Sequence, residues 1–345
     1  GIPEYRLPYD QLDKDIDLVT SLGVEIKYNT RVDGPDSEDG PDSEAAAQAP
    51  GPRAQASPEE GDGPAAEDQG AAGPRAKDGP HATDNPSPAA GPNAHSPAGP
   101  SPAGGQAPSF AQLYRDYDAV FFSTGLPDPY TLGVEGEDHP RVISGISILE
   151  DVTAGKTPDL RKSVAVVGGG NVAMDAARTA RRMGCDVTIL YRRREVDMPA
   201  DEEELIEAKE EGVKFVTQAI PVRVEDNPQA RGEQAAFVWG EAEMVDQGPD
   251  RRPKPVLQED KIHTDIFDTI VPAIGQGSSL DFIPEDMAER IGIIKYKIKV
   301  GLHGETGEPK IFAGGDIANR TKDAISAIAD GHRAAKGIDT YLRNI

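Results

Sequence analysis

The chain has 345 residues, enough for two domains that each bury a core, with a net charge of −24 and a single cysteine. That charge excludes nucleic acid and anionic membrane surfaces, which need a basic face, and no apolar run reaches the about 20 residues that cross a bilayer. One thiol, Cys185, excludes an internal disulfide, a C-x-x-C redox pair and a cysteine-ligated iron–sulfur cluster within this chain, and the six histidines show no metal-ligand spacing.

Gly1 opens the chain without a secretory signal, so the cytoplasm is the default expectation. GIPEYRLP, residues 1–8, reads as an irregular entry because two prolines leave little room for helix or strand. A helix follows over Asp10 to Leu22 with Leu12, Ile16 and Val19 on one face, and Val24 to Val32 alternates as a strand. From Gly34 to Pro108 the sequence turns to proline, alanine, glycine, serine and acid, with twelve acidic against three basic residues and no aromatic, Ile, Leu or Val. It cannot bury a core, and reads as a disordered surface insertion.

Ser109 to Arg115 has a helical pattern, and Tyr117 to Gly125 (YDAVFFSTG) has the continuous apolar run of a strand in a parallel sheet covered on both faces. Gly133, Gly136 and Pro140 mark the stretch from Pro127 to Ile148 as a connection. Ser163 to Arg194 then reads strand, glycine turn, helix, strand. Gly168, Gly170 and Ala173 fit G-x-G-x-x-G/A, the spacing that lets backbone turn sharply and approach a pyrophosphate at a helix N-terminus. Asn171 is placed to cap that helix, and Asp175 to favour its dipole or orient a ligand group. An NAD site expects an acidic residue about twenty positions beyond the glycines; this chain has Arg192, Arg193 and Arg194, whose forked, permanently charged donors suit a 2′-phosphate. The bland reading of these arginines is a solvated loop.

Beyond them, Ala200 to Glu211 reads as a helix with Pro199 at its start. Val213 to Val224, Gln234 to Val245 and Pro255 to His263 read as antiparallel strands, and Phe267 to Ile274 as a buried strand running into Gly275–Gln276–Gly277. The last section offers a helix at Pro284 to Arg290, a strand near Ile293 to Val300, a turn at Gly304 to Pro309 and a strand at Ile311 to Gly315 followed by Asp316. A long helix closes the chain at Ala324 to Tyr341, with Ile325, Ile328, Ala335 and Ile338 as packing positions. By spacing alone, Asp316 serves a polyol or ribityl chain, or caps a helix.

Taken together GIPEYRLP, YDAVFFSTG, VVGGGNVAMDAART, LYRRR followed by MPA, VPAIGQ and IFAGGD resemble the pyridine-nucleotide-dependent flavoproteins typified by the glutamate synthase small subunit. The resemblance implies an α/β, glutathione reductase-like fold with two dinucleotide-binding domains. Residues 1–33, 109–142 and 276–345 would form a discontinuous FAD-binding domain, and residues 143–275 an inserted NADPH-binding domain. It implies that Gly168, Gly169, Gly170, Asn171, Val172, Arg192 and Arg193 meet NADPH. Thr124, Gly125, Gly275 and Gln276 would lie at the domain connections, and Gly315 and Asp316 would contact FAD. Hydride would pass from NADPH to FAD, and electrons on to an iron–sulfur protein or larger oxidoreductase subunit, with no catalytic acid, base or nucleophile required. Such proteins place a first flavin G-x-G-x-x-G ahead of the position matching Gly1, so the FAD half is expected to be incomplete here. The competing reading is a nucleotide-binding or structural subunit without turnover of its own.

Overall fold

The computed structural model describes residues 2–28, 30–33, 107–230, 233–248 and 252–345. The tract expected to be disordered, apart from its last two residues, lies outside them. The entry segment is irregular as expected and leads into α1 (Tyr9–Ser21). Leu12, Ile16 and Val19 share a face of α1, yet all three are exposed and the helix buries no residue. The strand expected over Val24 to Val32 is absent among the described residues: Val24, Ile26 and Tyr28 are exposed with no described partner strand, and Asp33, just past the end of this stretch, is bridged to Ser109. Alternation makes a strand only where a ladder exists to join.

Ser109 caps α2 (Phe110–Asp116) in a reciprocal box, with Gln112 N–H donating to Ser109 Oγ at 3.2 Å and Ser109 N–H to Gln112 Oε1 at 2.9 Å. β1 (Val120–Phe122) and β2 (Asp128–Pro129) follow. The expected connection then hides a helix, α3 (Gly145–Thr153), whose Ile148 and Leu149 are buried. β3 (Ser163–Val167), α4 (Asn171–Arg182) and β4 (Asp186–Tyr191) form the expected strand–turn–helix–strand unit. α5 (Glu202–Glu210) starts at Asp201 rather than Pro199.

The stretch Val213 to Val224 is two strands of different character. β5 (Lys214–Thr217) runs parallel to β4; Gln218, in the left-handed region at φ 58°, ends it; and β6 (Ala219–Asp226) starts an antiparallel meander with β7 (Ala235–Val245) and β8 (Lys254–Phe267). β9 (Thr269–Pro272) returns parallel to β3, completing a four-stranded parallel sheet in the order β5-β4-β3-β9. Alternation along β3 assigns its two faces: Val164 and Val166 pack with α4 residues Met174, Ala176 and Ala177, while Ala165 and Val167 pack with Phe237 and Phe267 of the meander. One lobe is thus a parallel sheet with helices on one face and an antiparallel sheet on the other.

β10 (Gln276–Gly277) pairs antiparallel with β2, so the two crossing strands zip together. Leu132, Val134 and Val142 pack on the meander side of the first lobe. α6 (Glu285–Ile291) precedes a small hairpin, β11 (Ile293–Ile294) with β12 (Lys297–Ile298), where one strand was expected. β13 (Ile311–Ala313) lies parallel to β1, and α7 (Ala324–Leu342) packs over it. The second lobe's core joins Phe110, Phe122, Met287, Ile291, Ile298, Ile311 and Ile317. The packing face of α7 is Ala334 and Gly337, whereas Ile325 and Ile328 are exposed. A Cβ at Gly337 would lie 2.6 Å from His303 O, so helix and loop approach closer than the isoleucine face would allow.

Candidate dinucleotide site

Three glycines leave the end of β3, and each is held for a different reason. Gly168 has φ 149°, and a Cβ there would stand 2.2 Å from Ala273 O; its N–H donates to Leu190 O at 3.0 Å. Gly169 is buried under Tyr191, whose ring would lie 2.7 Å from a Cβ, and its carbonyl accepts from Ala200 N–H at 3.1 Å. Gly170 is different. Its φ is −96°, and a Cβ would meet only Pro199 Cγ, at 3.9 Å. The first two glycines serve the fold, and the third leaves backbone open toward the start of α4, where the amides of Asn171 and Val172 have no intrahelical acceptor. Asn171 does not cap its helix: its side chain pairs with Asp201, donating from Nδ2 to Oδ2 at 2.8 Å and accepting the Asp201 N–H at 2.9 Å. α4 therefore keeps its free N-terminal donors. Asp175 is turned away from ligand work, since Arg6 Nη1 donates to it at 2.9 Å.

Register carries the arginines to the same edge. Val167 pairs with Leu190, so Arg192 and Arg193 leave β4 beside the glycine turn. The structure separates the three arginines by their partners. Arg194 is neutralised by Asp197 at 2.8 Å. Arg193 donates to Pro253 O at 3.1 Å, and its carbonyl accepts from Gln218 N–H at 3.0 Å. Arg192 has neither a hydrogen bond nor a carboxylate partner among the described residues, and desolvation and the like charge of Arg193 pull its guanidinium below the ordinary range. Arg192, without a carboxylate partner among the described residues, and Arg193, whose guanidinium donates to a carbonyl, stand next to open backbone amides and fit a phosphate-bearing ligand. The loop from Met198 to Asp201 closes this edge; its sequence signal, MPA, carried no spacing rule that would have shown it reaching back to Gly169 and Asn171.

The second lobe gathers another set. β1 and β13 end together, with Phe122 opposite Ala313 and Gly314 N–H donating to Phe122 O at 3.0 Å. Thr124–Gly125 and Gly315–Asp316 thus leave the carboxyl ends of neighbouring parallel strands, the usual position of ligands in such sheets. Gln276 joins them, its Nε2 donating to Leu126 O at 2.8 Å, while Gly275 and Gly277 lie against the ring of Tyr130. Asp316 caps no helix. Asp323 caps α7, and Gly315 N–H donates to Asp330 Oδ2 at 3.0 Å. Half-buried Asp316 has no hydrogen-bond partner among the described residues, and burial raises its carboxyl above the usual range despite Lys322 and Lys297. Such a carboxylate suits hydroxyl donors of a sugar or ribityl chain.

Residues 113–331 match the family described as pyridine nucleotide-disulphide oxidoreductase. The chain belongs to that family. Over 361 residues it is 33% identical to the NADP(+)-dependent formate dehydrogenase subunit beta of Moorella thermoacetica, covering 99% of this chain and 38% of that protein. It is also 33% identical to the glutamate synthase (NADPH) small chain of Escherichia coli strain K12, over 67% of this chain and 52% of that one. The chain therefore spans about half or less of these curated relatives. Among solved structures, Mycobacterium tuberculosis FprA in complex with NADPH superposes with a TM-score of 0.55 at 18% identity, over 69% of this chain and 66% of that one. The fold is the two-dinucleotide-binding flavoprotein fold. The chain's one cysteine, Cys185, is buried, its thiol donates to Arg161 O at 3.0 Å, and burial pushes its pKa up. No described helix is long and apolar enough to cross a membrane.

Proposed function

We propose that the chain is the dinucleotide-binding body of an NADPH-dependent FAD oxidoreductase that passes electrons to an iron–sulfur or partner-subunit acceptor. Gly168 and Gly169 shape the turn, Gly170, Asn171 and Val172 present the open amides at the start of α4 to the NADPH pyrophosphate, and Arg192 and Arg193 hold its 2′-phosphate. Thr124, Gly125, Gly275, Gln276, Gly315 and Asp316 form this chain's share of the FAD site, Asp316 accepting from hydroxyls. A bound flavin supplies a two-electron acceptor for nicotinamide hydride and one-electron transfer onward. The chain's own residues orient and desolvate; no side chain needs to act as acid or base. Both relatives named above are described as a subunit or small chain, which supports an acceptor on a partner.

The observation that carries the reading is Arg192, which has no hydrogen bond and no carboxylate partner among the described residues and leaves β4 beside the open glycine turn. Replacing Arg192 and Arg193 by Glu removes charge-assisted bonds of about 1.5–3 kcal/mol each, which raises the NADPH dissociation constant about tenfold or more per arginine and leaves NADH within about twofold. Titration of both nucleotides against wild type and double variant checks this. An unchanged NADPH/NADH preference removes the phosphate assignment.

A further inference from the structure

The two lobes are joined by a thin hinge. β2 and β10 pair over two residues each, supported by Gln276 on Leu126 O and by Ser279 N–H on Asp128 Oδ2 at 2.6 Å. A ribbon this short resists separation but little torsion, and a second tie is visible at the start of the chain.

Residues 3–7 form a tight turn in which the amides of Arg6 and Leu7 both donate to Pro3 O, at 2.9 and 3.1 Å. The turn drives Tyr5 and Arg6 into the junction of α4 and α5. Arg6 forks there: Nη1 meets Asp175 Oδ2 of α4 at 2.9 Å and Nε meets Glu204 Oε1 of α5 at 3.0 Å, and both carboxylates are nearly buried. The Tyr5 ring lies under two guanidiniums, 3.7 Å from Arg182 and 4.7 Å from Arg178. The far end of the same segment belongs to the other lobe. Val32 packs into the second lobe's core, and Asp33 N–H donates to Pro108 O at 3.1 Å, just ahead of α2. One segment is thus gripped by α4 at one end and by the second lobe at the other.

The grip is polar. The Tyr5 hydroxyl and the Thr179 hydroxyl are buried against each other, and Asp175 Oδ1 is buried with no hydrogen-bond partner among the described residues, which costs stability. Asp175 lies one turn into the helix whose N-terminus faces the glycine turn, so a pull on Arg6 acts directly on the element that presents the dinucleotide.

We propose that Tyr5 and Arg6 form an interlobe clasp that fixes the orientation of α4 relative to the second lobe, making them positioning residues for electron passage between the two dinucleotide sites. The inference rests on the functional reading above for what is positioned, and on the ion pairs for the clasp itself. Its test uses the full chain reconstituted with FAD. Arg6→Ala removes the fork, and Arg6→Lys keeps one arm. Expected for Arg6→Ala are NADPH affinity within about twofold of wild type, amide exchange at Tyr130, Gln276 and Asp33 about tenfold faster, and flavin reduction by NADPH slowed about tenfold, with Arg6→Lys intermediate. Unchanged exchange at those amides in Arg6→Ala overturns the clasp. So does faster exchange accompanied by a matching loss of NADPH affinity and melting temperature, which marks Arg6 as a local prop of α4. Asp175→Asn, which keeps the shape, is expected to reproduce the exchange result if Arg6→Ala folds poorly, and wild-type exchange in it also overturns the clasp. A wild-type chain that binds no NADPH sinks the functional reading instead, and leaves the exchange result to judge the clasp.

Discussion

Within the glycine turn, one residue type serves two opposed purposes. At Gly168 a side chain would collide with Ala273 O in a backbone region that L residues avoid, so Gly168→Ala forces β3 and β9 apart. At Gly170 the backbone is ordinary and the space open. Gly168→Ala is expected to lower stability by about 3 kcal/mol or more, reading strain and clash together. Gly170→Ala is expected to cost less than about 1 kcal/mol, as a helix-cap change, while lowering dinucleotide affinity at least about tenfold. Urea unfolding and NADPH titration on both variants separate the roles. A Gly170→Ala protein that binds nucleotide normally removes the backbone-approach argument. The motif's spacing was legible in the sequence; the division of labour within it was not, because it depends on Ala273 and Tyr191, which arrive from other strands.

Helices and strands were legible in proportion to how local their causes are. The strand–turn–helix unit at β3, α4 and β4 follows from hydrophobic period and glycine placement. Failures arose where tertiary partners decide. Val24 to Val32 alternates but has no ladder among the described residues; the isoleucines Ile325 and Ile328 of α7 lie exposed while Ala334 and Gly337 pack; and β5 departs from the meander because Gln218 takes a left-handed turn. Charge inside helix packing was equally illegible. Arg178, in the second half of α4, is 3% exposed and meets Glu204 at 2.6 Å, Glu207 at 2.7 Å and Glu211 at 2.9 Å. Arg178→Ala strands those carboxylates and is expected to cost about 3–5 kcal/mol at neutral pH. Burial pushes the Glu211 carboxyl up, and hydrogen bonds from Arg182 and Arg178 more than reverse it, leaving it below 4.5. A carboxyl depressed in this way stabilises the fold above its unfolded pKa and loses that contribution as pH falls through the folded one. The stability gap between wild type and Arg178→Ala should therefore narrow as the pH falls below the ordinary carboxylate range. Urea midpoints at neutral and acid pH check it, and a pH-independent gap rejects the ion-pair account.

At the scale of the whole molecule, six short motifs spread along the chain carried the two-lobe architecture, because five of them mark strand ends and the first, GIPEYRLP, docks on α4 and α5. What they left open was how the long acidic tract fits between Asp33 and Ser109. The structure answers at its flanks: Asp33 N–H donates to Pro108 O at 3.1 Å, and Asp33 is bridged in parallel to Ser109. The tract leaves and re-enters the fold at one point, so its ends span no gap that its own residues must fill. Its composition predicts a loop that buries nothing. Closing a chain between two bonded positions costs entropy that grows only as the logarithm of its length. Shortening the loop from about 75 residues to about six is then expected to stabilise the protein by about 2 kcal/mol. NADPH affinity should be unchanged, because the glycine turn and Arg192 belong to the other lobe. Urea unfolding of a variant with residues 34–107 replaced by a short Gly–Ser turn measures the first quantity and nucleotide titration the second. A destabilised variant shows that the tract makes contacts the fold depends on, and a stable variant with weakened NADPH binding shows that it reaches the nucleotide; either outcome rejects the reading of the tract as an expanded surface loop.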